Sequence, residues 1–338
     1  MRLVEGVRGV EAVLAALARL EPVSIRALGR AVDLPVPIVA AVCNELRRHG
    51  IVSVQGPAQL TVDGRRRFAG TRVAIDATCP GCGGRGIALP EAVARLRRGL
   101  AQVAEAAPAL RVELDQCHCT PKTKLRRVLA MHHAGAAAGR ILFLGDDDLT
   151  SLALVRFAQR FGSTIEELAV LDVDERVLAF VEDGLTEAPF ATCCVRWDLR
   201  EPLPTSLARR YDTVVTDPPY TTEGARLFLA RAVEALRGEG SRVFLSFGSR
   251  RPGAQHEVQR AICDAGLEIR ALTRDFNDYV GAGVLGGTSH LYQLVATADV
   301  RPPLRGRYDG QLYTAARRRT DATPSTSRPP ATRSGAAR

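Results

Sequence analysis

The chain has 338 residues, 46% of them hydrophobic and 25% charged, an ordinary globular composition with room for a sizeable core and a second small domain. No run of about 18 apolar residues and no signal-type apolar segment occurs, so a cytoplasmic protein without a membrane partner is expected. The formal net charge of +9 does not argue for a nucleic-acid partner, because residues 301–338 carry +7 of it and leave +2 for the first 300.

Residues 7–20 have apolar side chains at helical spacing (Val10, Val13, Leu14, Leu17), and SIRALGRAVD begins a second helix with Ser24 as its cap. DLPVPIVAAVCNELRRHG reads as a turn and third helix, and IVSVQGPAQLTVDGRRRF as two short strands around a Gly-Pro turn. This pattern predicts a winged-helix-like domain over residues 1–70. The third helix offers Val, Ala, Cys and Asn on its exposed face, which suits dimerisation or covering a substrate better than reading bases. A homodimer is expected.

A Cys-containing connector over residues 71–120 follows. CPGCGG supplies Cys79 and Cys82 at metal-ligand spacing, and CHC supplies Cys117 and Cys119. Four thiolates are a candidate structural zinc site, although CxC is tight for that purpose and a Gly-rich turn with reduced thiols is the alternative. RVELDQ reads as a strand, and Thr120-Pro121 as the cap and first residue of a helix.

From residue 121 to 298 the pattern changes to βαβ units. ILFLG, EELAVLDVD, ATCCVRWD, YDTVVTDPPY and SRVFLSFG are short β-rich runs separated by amphipathic helical segments, and LEIRALTRDFN and SHLYQLVAT suggest a closing antiparallel pair. The predicted class is α/β, a Rossmann-like, methyltransferase-type, mostly parallel sheet. Residues 299–338, rich in Arg, Pro, Ser and Thr, read as a basic disordered tail.

In such a sheet ligands bind outside the carboxyl ends of the strands. Here those ends are Gly145-Asp146-Asp147-Asp148, Asp172-Val173-Asp174, Trp197-Asp198 and Asp217-Pro218-Pro219-Tyr220, every one acidic. Asp172 follows Gly145 by 27 residues, near where a nucleoside-binding fold keeps the carboxylate for ribose hydroxyls. Asp198 is the candidate acceptor for an adenine amine. Three aspartates in the first turn would repel a phosphate, which excludes NAD and ATP. A nucleoside with a cationic 5′ substituent fits instead: S-adenosylmethionine or, with its larger positive charge, the decarboxylated form. In DPPY the prolines remove donors and stiffen the loop, leaving Asp217, Pro218, Pro219 and Tyr220 to present acceptors and a ring to an amine. The rival readings are an amino-methyltransferase acting on nucleic acid, suggested by DPPY, and a DNA-binding winged-helix regulator.

With CPGCGGRG (79–86), DQ followed by TPKTKLRR (115–127), GDDDLTS (145–151) and DPPYT (217–221) in that order, the chain resembles the branched-chain polyamine synthases, the N4-bis(aminopropyl)spermidine synthases. The resemblance implies transfer of aminopropyl groups from decarboxylated S-adenosylmethionine, a co-substrate rather than a prosthetic group, to the secondary amine of spermidine. It also implies an essential aspartate in the GDDD segment. Asp147 or Asp148 is then the candidate proton acceptor, with Asp217 holding the attacking nitrogen and Gly145, Asp146, Asp172 and Asp198 around the nucleoside.

Overall fold

The computed structural model describes residues 6–53, 55–68, 78–248, 252–280 and 287–314. Three helices open it, α1 (Gly6–Leu20), α2 (Ile25–Val32) and α3 (Val36–Arg48), packed through Val13, Leu17, Leu28, Val39 and Val42. The Ser24 side chain accepts the Ala27 N–H and caps α2 as expected. The hairpin predicted after them is short among the described residues: isolated antiparallel bridges join Val52 to Leu60 and Val23 to Ala58, with Ser53 donating its N–H to the Gln59 carbonyl at 2.8 Å and Thr61 its own to that of Ile51 at 2.9 Å. The chain then turns helical at α4 (Val62–Arg67), because Thr61 accepts the Gly64 N–H at 2.9 Å. Gly64 is required there, since a Cβ would lie 2.3 Å from the Ile51 carbonyl oxygen. Among the described residues the N-terminal region thus combines three helices with short antiparallel pairing and α4.

The connector carries α5 (Glu91–Ala94) and α6 (Arg97–Ala106). The strand predicted over RVELDQ is instead a 3₁₀ turn, Val112–Leu114. It folds back on itself because Asp115 adopts the left-handed region (φ 56) and the Gln116 side chain accepts the Arg111 N–H at 2.7 Å. Helix α7 (Pro121–His133) then begins behind its Thr120 cap, with Pro at its first position.

Among the described residues the sheet has seven strands in the order β3-β2-β1-β4-β5-β7-β6. They are β1 (Ala138–Leu144), β2 (Thr164–Asp172), β3 (Ala191–Arg196), β4 (Thr213–Thr216), β5 (Arg242–Phe247), β6 (Leu267–Asp278) and β7 (Thr288–Ala296). The first five are parallel, and β7 runs antiparallel to both β5 and β6. Helices α8 (Thr150–Phe161), α9 (Glu175–Leu185), α10 (Thr222–Ala235) and α11 (Pro252–Asp264) make the crossovers. Two apolar clusters, one around Leu142, Val214 and Leu229 and one around Ile141, Phe143 and Val170, form the core. Buried on both faces, the parallel strands read as continuous apolar runs. The chain winds one way from β1 to β2 and the other way to β4, so the switch point lies at the carboxyl end of β1.

The first part of the segment predicted as a disordered tail, residues 299–314, is folded. Residues 299–314 lie on the α/β domain, with Leu312 only 4% exposed in the core. The fully buried Arg231 of α10 donates to the Gly306 carbonyl at 2.7 Å, and Thr221 donates to that of Leu312 at 2.8 Å. Polar, Arg-rich composition concealed this, because the anchoring groups are backbone carbonyls. Residues 315–338 lie outside the described residues.

Candidate active site

At the switch point Gly145 (φ 72) turns the chain from β1 toward α8. The three aspartates that follow separate into different roles. Asp146, 1% exposed, turns into the first turn of α8, where its carboxylate accepts the Ser151 N–H and hydroxyl. Asp148, 4% exposed, accepts the Thr150 N–H at 3.0 Å and the Thr150 hydroxyl at 2.6 Å through one oxygen, and Arg127 through the other. Both thereby satisfy backbone N–H groups at the start of α8. Asp147 instead faces the cavity, half-buried, its Oδ2 accepting the Cys117 N–H at 2.8 Å.

The cavity runs from Asp147 and Asp217 at one end, past Gly145 and Asp172, to Trp197 and Asp198 at the other. Asp172 is shaped by the turn itself: its two oxygens accept the backbone N–H groups of Asp174 (2.8 Å) and Asp146 (3.1 Å). Asp174 caps α9 and binds Arg176, which holds its carboxyl down at about 2. Asp198 lines the cavity but also pairs with Arg200 at 2.7 Å. Beside it Trp197 lines the cavity, and its indole N–H is buried without a hydrogen-bond partner among the described residues. Pro219 lines the cavity, whereas Pro218 and Tyr220 stand behind it. The Tyr220 hydroxyl donates to Asp217 at 3.1 Å.

Residues that sequence reasoning missed complete the site. Arg127, 3% exposed, donates from Nη2 to Asp217 at 2.7 Å and to the Tyr279 hydroxyl at 2.9 Å, from Nε to Asn277 at 2.8 Å, and from Nη1 to Asp148. Tyr279 in turn donates to Asp217 at 2.6 Å. Lys124, one turn earlier on α7 and 1% exposed, donates to the Asp148 carbonyl. Their i, i+3 spacing within TPKTKLRR, on a helix that also buries Leu125, Val128 and Leu129, is the signal that could have found them. Leu312 and Tyr313 close the base end, opposite Asp115 and Gln116. Thr314 joins these two lips by donating its N–H to Asp115 at 2.8 Å and its hydroxyl to the same carboxylate.

The aspartates respond differently to this setting. Burial pushes the Asp147 carboxyl well above the ordinary range, with Asp148, Asp172 and Asp217 adding repulsion. Asp146 and Asp172 are also raised, chiefly by burial. Asp217 is raised by burial although Arg127 opposes it. Asp148 is the exception: burial alone would raise it, but Arg127 and Lys124 hold it below the ordinary value. The buried cations are thus committed to Asp148 and Asp217, while Asp147 faces the cavity with its carboxyl raised.

The four thiols proposed for a metal do not converge. Among the described residues no group of three or more His, Cys, Asp or Glu is arranged to hold one. Cys79 is exposed and Cys82 half-exposed, whereas Cys117 and Cys119 lie by the active site, both pushed up to about 12, chiefly by burial, and so kept as neutral thiols. The QCHC stretch serves the cavity rim instead, through the Cys117 N–H on Asp147 and a bridge from Cys119 to Tyr279. No helix among the described residues is long and apolar enough to cross a membrane.

Comparison with known proteins places this geometry. Residues 96–315 match the family model of the branched-chain polyamine synthase A C-terminal domain. The N(4)-bis(aminopropyl)spermidine synthase of Thermococcus kodakarensis is 33% identical over 270 residues, which is 77% of this chain and 75% of that protein. The synthase of the same name from Thermus thermophilus is 29% identical over 286 residues, 83% of this chain and 79% of that one. The crystal structure of the Thermus thermophilus branched-chain polyamine synthase, in complex with N4-aminopropylspermidine and 5′-methylthioadenosine, matches with a TM-score of 0.73 at 26% identity, covering 91% of this chain and 92% of that one.

Proposed function

The chain belongs to the branched-chain polyamine synthase family, and from that membership we propose that it transfers aminopropyl groups from decarboxylated S-adenosylmethionine to the secondary amine of spermidine. The products are the branched polyamine N4-bis(aminopropyl)spermidine and methylthioadenosine. The observation that carries this reading is the convergence of Asp147, Asp172 and Asp217 on one cavity at the switch point. The donor carries about two positive charges and spermidine about three, so both gain from a cluster of carboxylates that two buried cations only partly offset.

Asp172 accepts hydrogen bonds from the ribose hydroxyls, while Trp197, Asp198 and Tyr313 surround the base. Asp217, held by Arg127 and Tyr279, fixes the acceptor amine in line with the carbon next to sulfur. A carboxylate beside an ammonium raises the amine's pKa, which opposes its activation. Asp147 answers this: its own raised pKa brings it closer to the amine and makes it a competent general base. The nitrogen lone pair forms the new C–N bond, the C–S bond breaks with its electrons retained by sulfur, and methylthioadenosine leaves as a neutral thioether. In the first transfer the proton goes to Asp147. In the second the nitrogen is tertiary, and once neutral it has no proton left to give up when it becomes quaternary.

Incubating the purified protein with spermidine and, in parallel, S-adenosylmethionine or its decarboxylated form tests the proposal. Mass spectrometry should detect aminopropylated spermidine and methylthioadenosine with the decarboxylated donor. Methylated product with the other donor alone would overturn it.

A further inference from the structure

Strand β6 ends at Asn277 and Asp278, and with Tyr279 just beyond it these residues face two ways, as the alternation of an extended chain requires. Asn277 and Tyr279 point inward to the Arg127 guanidinium, at 2.8 and 2.9 Å. Asp278 points outward and meets three more guanidiniums: Arg30 of α2 at 3.2 Å, Arg85 of the CPGCGGRG turn at 3.0 Å and Arg126 of α7 at 3.9 Å. Helix α7 has the same division, Arg126 outward and Arg127 inward, so two consecutive residues of α7 grip two faces of one strand end. The Asp278 backbone is pinned as well, its N–H donating to the Thr123 hydroxyl at 2.9 Å and its carbonyl accepting the Thr120 N–H at 2.8 Å.

The outer contacts bring together segments far apart in the chain. Arg274, further back on β6, donates to the Ala31 carbonyl at 3.1 Å and to that of Arg30, a second tie to α2. The Nε atoms of Arg85 and Arg126 are buried without hydrogen-bond partners among the described residues. Asp278 is therefore a carboxylate that compensates partly buried guanidiniums, and its loss would free the strand end and leave them repelling one another.

We propose that Asp278 is a positioning residue for the transfer reaction: with Arg30, Arg85 and Arg126 it fixes Asn277 and Tyr279 against Arg127, and thereby the carboxylates of Asp148 and Asp217. Helix α2 of the N-terminal region is thus part of the apparatus that orients the acceptor amine. This rests on the function proposed above for the reaction to be assayed, but the contacts themselves do not.

The test compares Asp278→Asn and Arg30→Gln with wild type, in the full chain. A misoriented Arg127 is expected to lower kcat about tenfold or more in Asp278→Asn. KM for the decarboxylated donor and the Kd for methylthioadenosine should stay within about twofold, because Asp172, Trp197 and Tyr313 at the nucleoside end do not touch Asp278. Arg30→Gln should show the same split at smaller amplitude, Arg30→Lys should recover most of it, and the double variant Asp278→Asn with Arg30→Gln should be little worse than Asp278→Asn alone. Unchanged kcat, or kcat and methylthioadenosine binding falling together in proportion to folded protein, would overturn the positioning role. If Asp278→Asn does not fold, Arg30→Gln and Arg30→Lys carry the same comparison. A wild type that makes no aminopropylated product counts against the function; an active wild type with unaffected variants counts against Asp278 alone.

Discussion

Arg127 donates to Asp217 at 2.7 Å, tying helix α7 to the loop after β4, and the same guanidinium reaches Asp148 at the end of β1. One buried cation therefore holds two carboxylates from two strand ends in fixed relation. Arg127→Met should leave both unpaired and cost about 3–5 kcal/mol of stability, measured by urea denaturation. Arg127→Lys, a point charge on a flexible stem, cannot form the fork, and turnover should fall with it even where the fold survives.

The adjacent aspartates should give opposite phenotypes. Asp147→Asn is expected to cut kcat by about 10²–10⁴ with little loss of stability, because Asp147 serves the cavity rather than the fold. Asp148→Asn should destabilise the protein, since Arg127 and Lys124 would lose the charge that compensates them. Paired thermal melts and rate measurements distinguish the two, and equal loss of stability in both would show that the roles have been misassigned.

The raised carboxyls predict an unusual pH dependence. Asp146, Asp147, Asp172 and Asp217 are all shifted upward, so between the ordinary carboxyl value and their folded values the native state binds more protons than the unfolded one. Their contribution to stability therefore falls as pH rises through that window. Asp148 and Asp174 act oppositely, adding stability above the unfolded value that is lost as pH falls through their depressed folded values. A bound polycation favours ionised carboxylates and should reverse the first effect. Spermidine with methylthioadenosine is expected to bind with net proton release, read by calorimetry in buffers of different ionisation enthalpy; net uptake would contradict the charge assignment.

The segment after residue 298 should matter at the nucleoside end. Tyr313→Ala, Asp115→Asn and a chain ending at Asp309 are each expected to raise KM for the sulfonium donor, because Leu312, Tyr313 and Asp115 wall that end of the cavity. KM for spermidine should change less. Unaltered donor KM in all three would remove this strap from the site.

Asp172→Ala should weaken methylthioadenosine binding on two counts, since the carboxylate also fixes the Asp146 and Asp174 N–H groups. Isothermal titration should show the loss, while a Kd equal to wild type would place the ribose elsewhere.

Much of this molecule could be read from its residues in order. The alternation of apolar β-rich runs with amphipathic helices specified the sheet, and acidic residues at successive strand ends located the cavity, because strand ends in a parallel sheet face one side. GDDD and DPPY indicated a cationic ligand for the same local reason: charge and backbone conformation are properties of short stretches. Where local hydrogen bonding competed, the reading failed, as at Thr61, which starts a helix where a strand was expected, and at Asp115, which turns a predicted strand into a 3₁₀ turn.

What the sequence alone left undecided was which aspartate does what. Asp146, Asp147 and Asp148 are chemically identical and adjacent, and only the tertiary structure separates them, by turning two into helix α8 and leaving one facing the cavity. The cations that complete the site come from α7, and Asn277 and Tyr279 from the far edge of the sheet, at sequence separations no local pattern reports. Side-chain electrostatics depend on distance in space and on exclusion of water, both of which exist only once the chain has folded.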